Sequence, residues 1–227
     1  RCTILRALFP LAVRSHEAWF ETACGAVPRP THRNTSWDQA RFEVPALRWA
    51  DLSEAGYGAS LLNDGKYGHN ALGNVLGLSL LRGPVYPDPF ADRGEHHFSY
   101  ALYPHAGDWR QGTVTQAADL NAPLQAIVRP GCGKGRPARR RFLELDTAAL
   151  RLSALKRAEE GDGIVLRLYE AHGGRGAATL WIEGLQGAAE ARYVNLLEEP
   201  THRLPLEDGR LRFGFGPYEI LSFSVAR

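Results

Sequence analysis

The sequence contains no methionine and only three cysteines among its 227 residues. Without a methionine the chain has no start residue of its own, and residues 4–13 have the pattern of a strand already in progress. We therefore expect the chain to be a piece of a longer polypeptide. The cysteines, Cys2, Cys24 and Cys132, are odd in number and lack CxxC spacing, which argues against a disulfide framework or a zinc site. Such cysteine use favours a reducing compartment, the cytoplasm.

Long apolar runs and an excess of one charge are also missing. No apolar run approaches the ~20 residues that a membrane-spanning helix needs. The net charge of +2, from 27 basic and 25 acidic residues, gives little long-range attraction for nucleic acid. The one dense basic cluster, residues 134–141, lacks interleaved aromatics, so we interpret it as a solvated loop instead of a phosphate-binding patch. Arginine far outnumbers lysine, which suggests a bacterial source of high GC content.

The pattern that is present is the period-two alternation of half-buried antiparallel strands. It is found in residues 97–103, 164–168, 211–215 and 221–225. Gly161-Asp162-Gly163 and Glu207-Asp208-Gly209 each separate two strand-like runs and predict hairpin turns, because Gly and Asp tolerate positive φ. No window shows a capped amphipathic helix, although residues 117–124 could form a short helical turn. The sequence predicts an all-β protein built from antiparallel sandwiches.

A change in composition predicts the domain boundary. Residues 127–141 concentrate proline, glycine and arginine, which is typical of a connection between domains. We predict an N-terminal β-sandwich unit over residues 1–128 and a Gly/Pro/Arg-rich loop over residues 129–141. A C-terminal β-sandwich unit is predicted over residues 142–227.

The most concentrated polar cluster is Asn63-Asp64-Gly65-Lys66-Tyr67-Gly68, and it has two interpretations. In the first, Asp64 and Gly65 form a hairpin turn, and Lys66 and Tyr67 are ordinary exposed strand residues. In the second, the segment is a substrate-binding loop in which Asn63, Asp64 and Lys66 hydrogen bond to sugar hydroxyls. Tyr67 would then lie against a pyranose ring.

Aromatic side chains offer a second set of candidates. Aromatics in sandwiches usually fill cores or domain interfaces because they bury large apolar areas. Trp37 and Trp109 lie at loop ends, so we predict that these two face a sugar or a neighbouring domain.

Catalytic and metal-binding groups are not indicated by spacing. Glycoside hydrolysis usually needs two carboxyl groups that face each other across the sugar, and the loop carboxylates have no spacing that forces such a pair. We expect them to form turns. His96 and His97 would point to opposite faces of a strand, so we predict no metal site there or at His105 and Asp108.

In two long blocks and several shorter ones, the sequence resembles the C-terminal region of class II α-mannosidases, glycoside hydrolase family 38, in its cytosolic and bacterial branch. The matching segments are residues 29–32, 34–37, 40–44, 49–54, 56–58, 61–64, 66–68, 78–82, 100–105, 107–109, 152–156, 167–170 and 217–220. The resemblance implies a galactose-mutarotase-like super-sandwich followed by a smaller β-sandwich. Positions 65 and 69 are Gly and His here, so the side chains of other members at those positions are not assured.

The resemblance also implies which part of the parent protein performs catalysis. In that family the nucleophilic aspartate and the zinc ligands lie in an N-terminal α/β barrel that this chain lacks. We therefore expect no catalytic residue, metal or cofactor in this segment, which would supply scaffold, an active-site wall and a homo-oligomer contact. The parent would be a retaining, zinc-assisted mannosidase acting on mannose-containing oligosaccharides. The alternatives are a free-standing, lectin-like carbohydrate-binding module and a purely structural interaction domain.

Overall fold

The computed structural model describes residues 4–128, 139–183 and 190–226, and the chain divides into two compact units, Arg1–Ala126 and Ile127–Arg227. Most of the predicted connecting loop over residues 129–141, with much of its basic cluster, lies outside the described residues. Within the described part, no helix is long and apolar enough to cross a bilayer.

Unit 1 is a sandwich of two antiparallel sheets. One sheet has the order β3-β2-β5-β6-β9 and the other the order β1-β8-β7-β4. The strands are β1 (Leu5–Pro10), β2 (Glu17–Thr22), β3 (Gly25–Pro30), β4 (Val44–Pro45), β5 (Trp49–Ser53), β6 (Tyr57–Asn63), β7 (Gly68–Leu72), β8 (Val75–Leu81) and β9 (Tyr100–Ala106).

Alternating residues of the two sheets in unit 1 meet in one apolar core. Phe20, Leu52 and Leu61 point into this core from the first sheet, and Leu76 and Leu78 enter from the second. Each of these side chains is essentially removed from solvent, and burying one stabilises the fold by about 2 kcal/mol. The period-two pattern of the sequence therefore has its expected physical cause.

Helical structure covers the outer face of the first sheet. A single 3₁₀ turn, Trp109–Gln111, leads into helix α2 (Thr113–Asn121), which overlaps the helical turn predicted for residues 117–124. A shorter helix, α1 (Ser36–Ala40), was not predicted. It begins after Thr35, which forms a capping box with Asp38, a pattern of two reciprocal hydrogen bonds that satisfies free backbone amides.

Unit 2 is a second, separate antiparallel sandwich. Its sheets have the orders β10-β13-β17-β16 and β11-β12-β18-β14-β15, and they enclose a core that includes Leu166, Leu180, Leu211 and Phe223. The strands are β10 (Leu143–Leu145), β11 (Leu150–Arg157), β12 (Ile164–Glu170), β13 (Gly176–Ile182), β14 (Glu190–Val194), β15 (Pro200–Leu204), β16 (Leu206–Glu207), β17 (Arg210–Phe215) and β18 (Ile220–Ala226). The predicted all-β sandwich fold is confirmed.

Turn chemistry predicted two connections correctly and one wrongly. The segments 161–163 and 207–209 join antiparallel pairs, β11 with β12 and β16 with β17. Asp64-Gly65, by contrast, is not a hairpin, since β6 pairs with β5 and β9 while β7 belongs to the other sheet. The strand predicted over residues 97–103 begins only at Tyr100.

A buried carboxylate holds two turns of unit 2 together. Glu170, at the end of β12, is fully buried and accepts hydrogen bonds from the backbone amides of His172, Gly173 and Tyr218 at 2.8–2.9 Å. Tyr218 has a φ of 54°, a conformation that side-chain-bearing residues rarely adopt. The carboxylate therefore fixes a strained turn far away in sequence.

We expect Glu170→Gln to lower the free energy of unfolding by about 2 kcal/mol, because the NH2 group that replaces one carboxylate oxygen cannot accept the one or two hydrogen bonds made to that oxygen. Urea unfolding of the chain measures this loss. Glu144→Gln is the matched control, since Glu144 is exposed and pairs with Arg141 at the surface. Equal midpoints for the two variants would contradict the bridging role of Glu170.

Candidate functional site

The candidate site is the segment that passes from one sheet of unit 1 to the other. Strand β6 ends at Asn63 in the first sheet, and β7 begins at Gly68 in the second. A crossing segment has no neighbouring strand to satisfy its backbone groups, so side chains must do so. We call residues 63–67 the crossing loop.

Asn63 lies beneath the crossing loop, with 0% of its surface exposed. Its Oδ1 accepts hydrogen bonds from the amides of Gly65 at 2.9 Å and Lys66 at 2.6 Å. Its Nδ2 donates to the Leu47 carbonyl at 2.9 Å and lies 3.4 Å from Nε2 of His69. Asn63 therefore cannot reach a sugar, and its predicted ligand role is wrong: it builds the loop.

The other three predicted residues lie on the outer side of the loop. Asp64 is exposed and accepts a hydrogen bond from the Ser99 amide at 2.8 Å through Oδ2. The ammonium group of Lys66 lies 4.9 Å from the ring centre of Phe98, a cation–π contact that holds the side chain across the surface. Tyr67 is 58% exposed. The loop thus presents a carboxylate, an ammonium group and an aromatic ring together.

The two predicted tryptophans have opposite environments. Trp37, on helix α1, is 75% exposed and available to a ligand or a neighbouring domain. Trp109 is 0% exposed, with its ring centre 5.4 Å from that of Trp19 and 5.0 Å from that of Trp49. The prediction that Trp109 faces a sugar or another domain is wrong, because its ring is packed inside unit 1.

Sequence reasoning missed a buried polar network behind this aromatic cluster. Nε2 of His105 lies 2.7 Å from Oδ2 of Asp51, and Ser60 donates to the same oxygen at 2.7 Å. Thr113, in α2, contacts Ser60 at 2.6 Å. A Cβ at Gly58 would lie 2.6 Å from Cε1 of His105, so only glycine leaves room for the ring.

This network resembles a catalytic triad in composition but not in geometry. Ser60 donates to the carboxylate instead of the imidazole, and Asp51, Ser60 and His105 are all buried, whereas a nucleophile must hydrogen bond to its base and meet substrate. Burial lowers the pKa of His105, but the hydrogen bond and charge of Asp51 outweigh it and raise the pKa above its usual value. The network holds α2 against the sheet and is not an active site.

Metal-binding geometry is not found in the part of the chain that the structure describes. There, no three His, Cys, Asp or Glu side chains converge as metal ligands would. His97 pairs with Glu95 at the surface at 3.0 Å, and His96 contacts the Asp92 carbonyl at 3.0 Å.

His69 lies on the inner side of β7, directly beneath the crossing loop. It is 0% exposed, and its Nε2 lies 3.4 Å from Nδ2 of Asn63. Burial lowers the pKa of His69 to about 4, an effect that the backbone of Tyr67 and the charge of Glu43 offset only in part. The imidazole of His69 is therefore neutral in the folded protein at neutral pH.

Two family models match the chain. Residues 1–90 match "Glycosyl hydrolases family 38 C-terminal domain", and residues 149–223 match "Glycosyl hydrolases family 38 C-terminal beta sandwich domain". The two matches together cover well over half of the chain and fall one in each unit.

Named relatives agree with the family models. The chain is 45% identical to human alpha-mannosidase 2C1 over 225 residues, which is 96% of this chain and 21% of that protein. It is 34% identical to an alpha-mannosidase of Saccharomyces cerevisiae, covering 99% of this chain and 22% of that protein. The crystal structure of an alpha-mannosidase from Enterococcus faecalis V583 superposes with a TM-score of 0.79 at 21% identity, over 97% of this chain and 25% of that one. The chain spans about a fifth of the length of the curated relatives.

We expect His69→Gln to remove an acid sensitivity of unit 1. The folded pKa of about 4 lies below the unfolded value of 6.5. The contribution of neutral His69 to the free energy of unfolding is therefore complete above pH 6.5 and is lost as the pH falls towards 4. The loss amounts to about 3 kcal/mol. Urea unfolding at pH 7, 6, 5 and 4 measures it.

The difference in free energy of unfolding between wild type and His69→Gln separates the effect of His69 from that of His105. The raised pKa of His105 has the opposite effect: its contribution to stability is present below pH 6.5 and is lost as the pH rises through the folded pKa. His97→Gln, at an exposed histidine, is the control and should keep the wild-type pH dependence. A parallel pH dependence in wild type and His69→Gln would show that His69 is not the acid-sensitive group.

Proposed function

The chain belongs to glycosyl hydrolase family 38 through that family's C-terminal domains, and on this premise we propose that it is the C-terminal part of a retaining α-mannosidase. The parent polypeptide would hydrolyse α-mannosides in mannose-containing oligosaccharides. The observation that carries this proposal is the match of both units, in order, to the two C-terminal domains of one family. Relatives named alpha-mannosidase at 34–45% identity support it.

The chemistry of the parent would be performed outside this chain. A retaining glycosidase needs an acid and a nucleophile about 5 Å apart, and the polar network of unit 1 is closed to substrate. The described residues form no convergent metal-ligand set. Zinc, which the family resemblance implies for the parent, would be held by an N-terminal barrel outside this chain. Zinc would supply a positive charge to orient the sugar and stabilise developing charge.

The crossing loop is the part of this chain that we propose lines the active site. Asp64 and Lys66 offer an acceptor and a donor for hydroxyl groups, and Tyr67 offers an apolar face for a sugar ring. The buried Asn63 makes this surface rigid before substrate binds, which lowers the entropic cost of binding.

An independent lectin-like module fits the comparisons less well. Each curated relative named above is about five times longer than this chain and matches it over nearly the whole of the chain's length. A domain that recurs as a fifth of longer mannosidases is best explained as a structural part of those enzymes. We further propose a cytoplasmic location, which the scarcity of cysteine supports, and a homo-oligomer contact in the parent.

One prediction of this proposal is that the parent polypeptide hydrolyses the substrate and this chain alone does not. With a chromogenic α-mannoside, we expect hydrolysis by the parent polypeptide in the presence of zinc and loss of activity on chelation. The 227-residue chain alone should be inactive with or without added zinc. Activity in the isolated chain would mean that its own carboxylates perform the chemistry, contrary to the proposal.

A further prediction of this proposal concerns the crossing loop. In the parent, Asp64→Asn and Tyr67→Ala should each reduce kcat/KM by about tenfold, since the loss of one substrate contact of roughly 1.4 kcal/mol has that effect. The unfolding midpoint should change little because both side chains are exposed.

Asp162→Asn is the matched control, at an exposed turn of unit 2, and should retain wild-type kinetics. Wild-type kcat/KM in both loop variants, with the fold intact, would exclude the loop from the active site.

A further inference from the structure

A basic groove lies on unit 1, apart from the crossing loop. Its inner recess, of about 20 Å³, is lined by the side chains of Arg29, His32, Arg33 and Arg41 among others. The recess shares Arg29 and His32 with an open outer groove of about 540 Å³, which His16 also lines. Strand β3, the segments on either side of α1 and the segment before β2 therefore bring three arginines and two histidines to one place.

The three arginines of this groove lie beyond ion-pair distance of the carboxylates that the structure describes. None of them forms an ion pair among the residues that the structure describes, whereas Arg6, Arg48 and Arg110 of the same unit each do. Arg29 lies 5.5 Å from the ring centre of Phe20 and reaches the Pro45 carbonyl at 3.5 Å, so its side chain is fixed in position. Burial, together with the charge of Arg41, lowers the pKa of Arg29, which is the direction expected when like charges are placed close together.

The carboxylates at the groove neutralise it only in part: the hydrogen bond from Thr35 lowers the pKa of Asp38 most, and the charges of His32 and Arg41 lower it further. Asp38, the one carboxylate of the inner recess, uses Oδ2 to accept hydrogen bonds from the amide and hydroxyl of Thr35 at 3.1 and 2.8 Å. His32 lies 3.7 Å from the same oxygen. Glu17 lines only the open outer part. The inner recess keeps more guanidinium charge than carboxylate charge.

We propose that this groove binds an oxyanion, a phosphate or carboxylate group, through the guanidinium groups of Arg29, Arg33 and Arg41. A guanidinium presents paired N–H donors whose spacing matches two oxygens of such a group. Arg29 is held against Phe20 at the wall, and Arg33 and Arg41 stand exposed at the opening. Like charges held close together repel one another, and a bound oxyanion would relieve that repulsion.

The oxyanion has two sources with the same chemistry. One is a free anion, such as inorganic phosphate or a phosphorylated metabolite. The other is an acidic side chain elsewhere in the parent polypeptide. Both would be held by the same guanidinium groups, so the test must distinguish an open groove from one that is already filled.

The test uses the parent polypeptide and the double variant Arg33→Gln/Arg41→Gln, which leaves the structural contacts of Arg29 in place. Arg82→Gln/Arg93→Gln is the charge-matched control, since both of its arginines are exposed residues of unit 1 away from the groove. Binding of inorganic phosphate is measured by isothermal titration calorimetry at constant ionic strength. Urea midpoints are measured for the same proteins at low and high sodium chloride.

For a free oxyanion, we expect phosphate to bind wild type and control equally and to bind the Arg33→Gln/Arg41→Gln variant at least about tenfold more weakly. For an internal carboxylate, phosphate should not bind, but the groove variant should unfold at lower urea than the control, and high salt should abolish that difference. Equal phosphate affinity in all three proteins, or no binding together with equal midpoints, would overturn the proposal.

Discussion

The crossing loop depends on one buried amide, that of Asn63. A chain that leaves one sheet for the other loses the regular partners of its backbone, and each buried unsatisfied group would cost about 1–3 kcal/mol. The Asn63 side chain closes the turn through two amides and fixes it to the Leu47 carbonyl. Its own carbonyl accepts from Asn121 at the end of α2 at 3.0 Å. One residue thus joins both sheets and the helix, and the exposed positions of Asp64 and Tyr67 depend on it.

Local patterns in the sequence were sufficient wherever the structure depends on near neighbours. Residues 161–163 and 207–209 form the hairpins that their Gly-Asp chemistry predicts. Asp64-Gly65 has the same chemistry, yet it connects two sheets, because β6 finds better partners in β5 and β9. Which strand a chain segment pairs with is decided by the whole sheet, and turn chemistry does not encode it.

The sequence also could not show which of the predicted site residues are buried. Family resemblance pointed to residues 63–67 as a group, but it could not separate Asn63, which is internal, from Asp64 and Tyr67, which are exposed. Trp109 lies next to charged residues in sequence, as a surface residue often does, and its burial depends on Trp19 and Trp49 from distant strands. No spacing rule would have found a network that joins residues as far apart as Asp51 and His105.

The two units use buried charge differently, and this bears on their roles. In unit 2 the buried Glu170 is satisfied by three backbone amides of its own unit, so its charge is used entirely for folding. Unit 1 also buries a satisfied carboxylate, Asp51, whose partners are the side chains of Ser60 and His105. It holds a second carboxylate, that of Asp64, exposed on the rigid crossing loop. Charges that a fold positions but does not neutralise are available to ligands. On the proposed function, the carboxylate of Asp64 is therefore a charge that unit 1 holds in place for a sugar, whereas the charge of Glu170 serves the fold of unit 2.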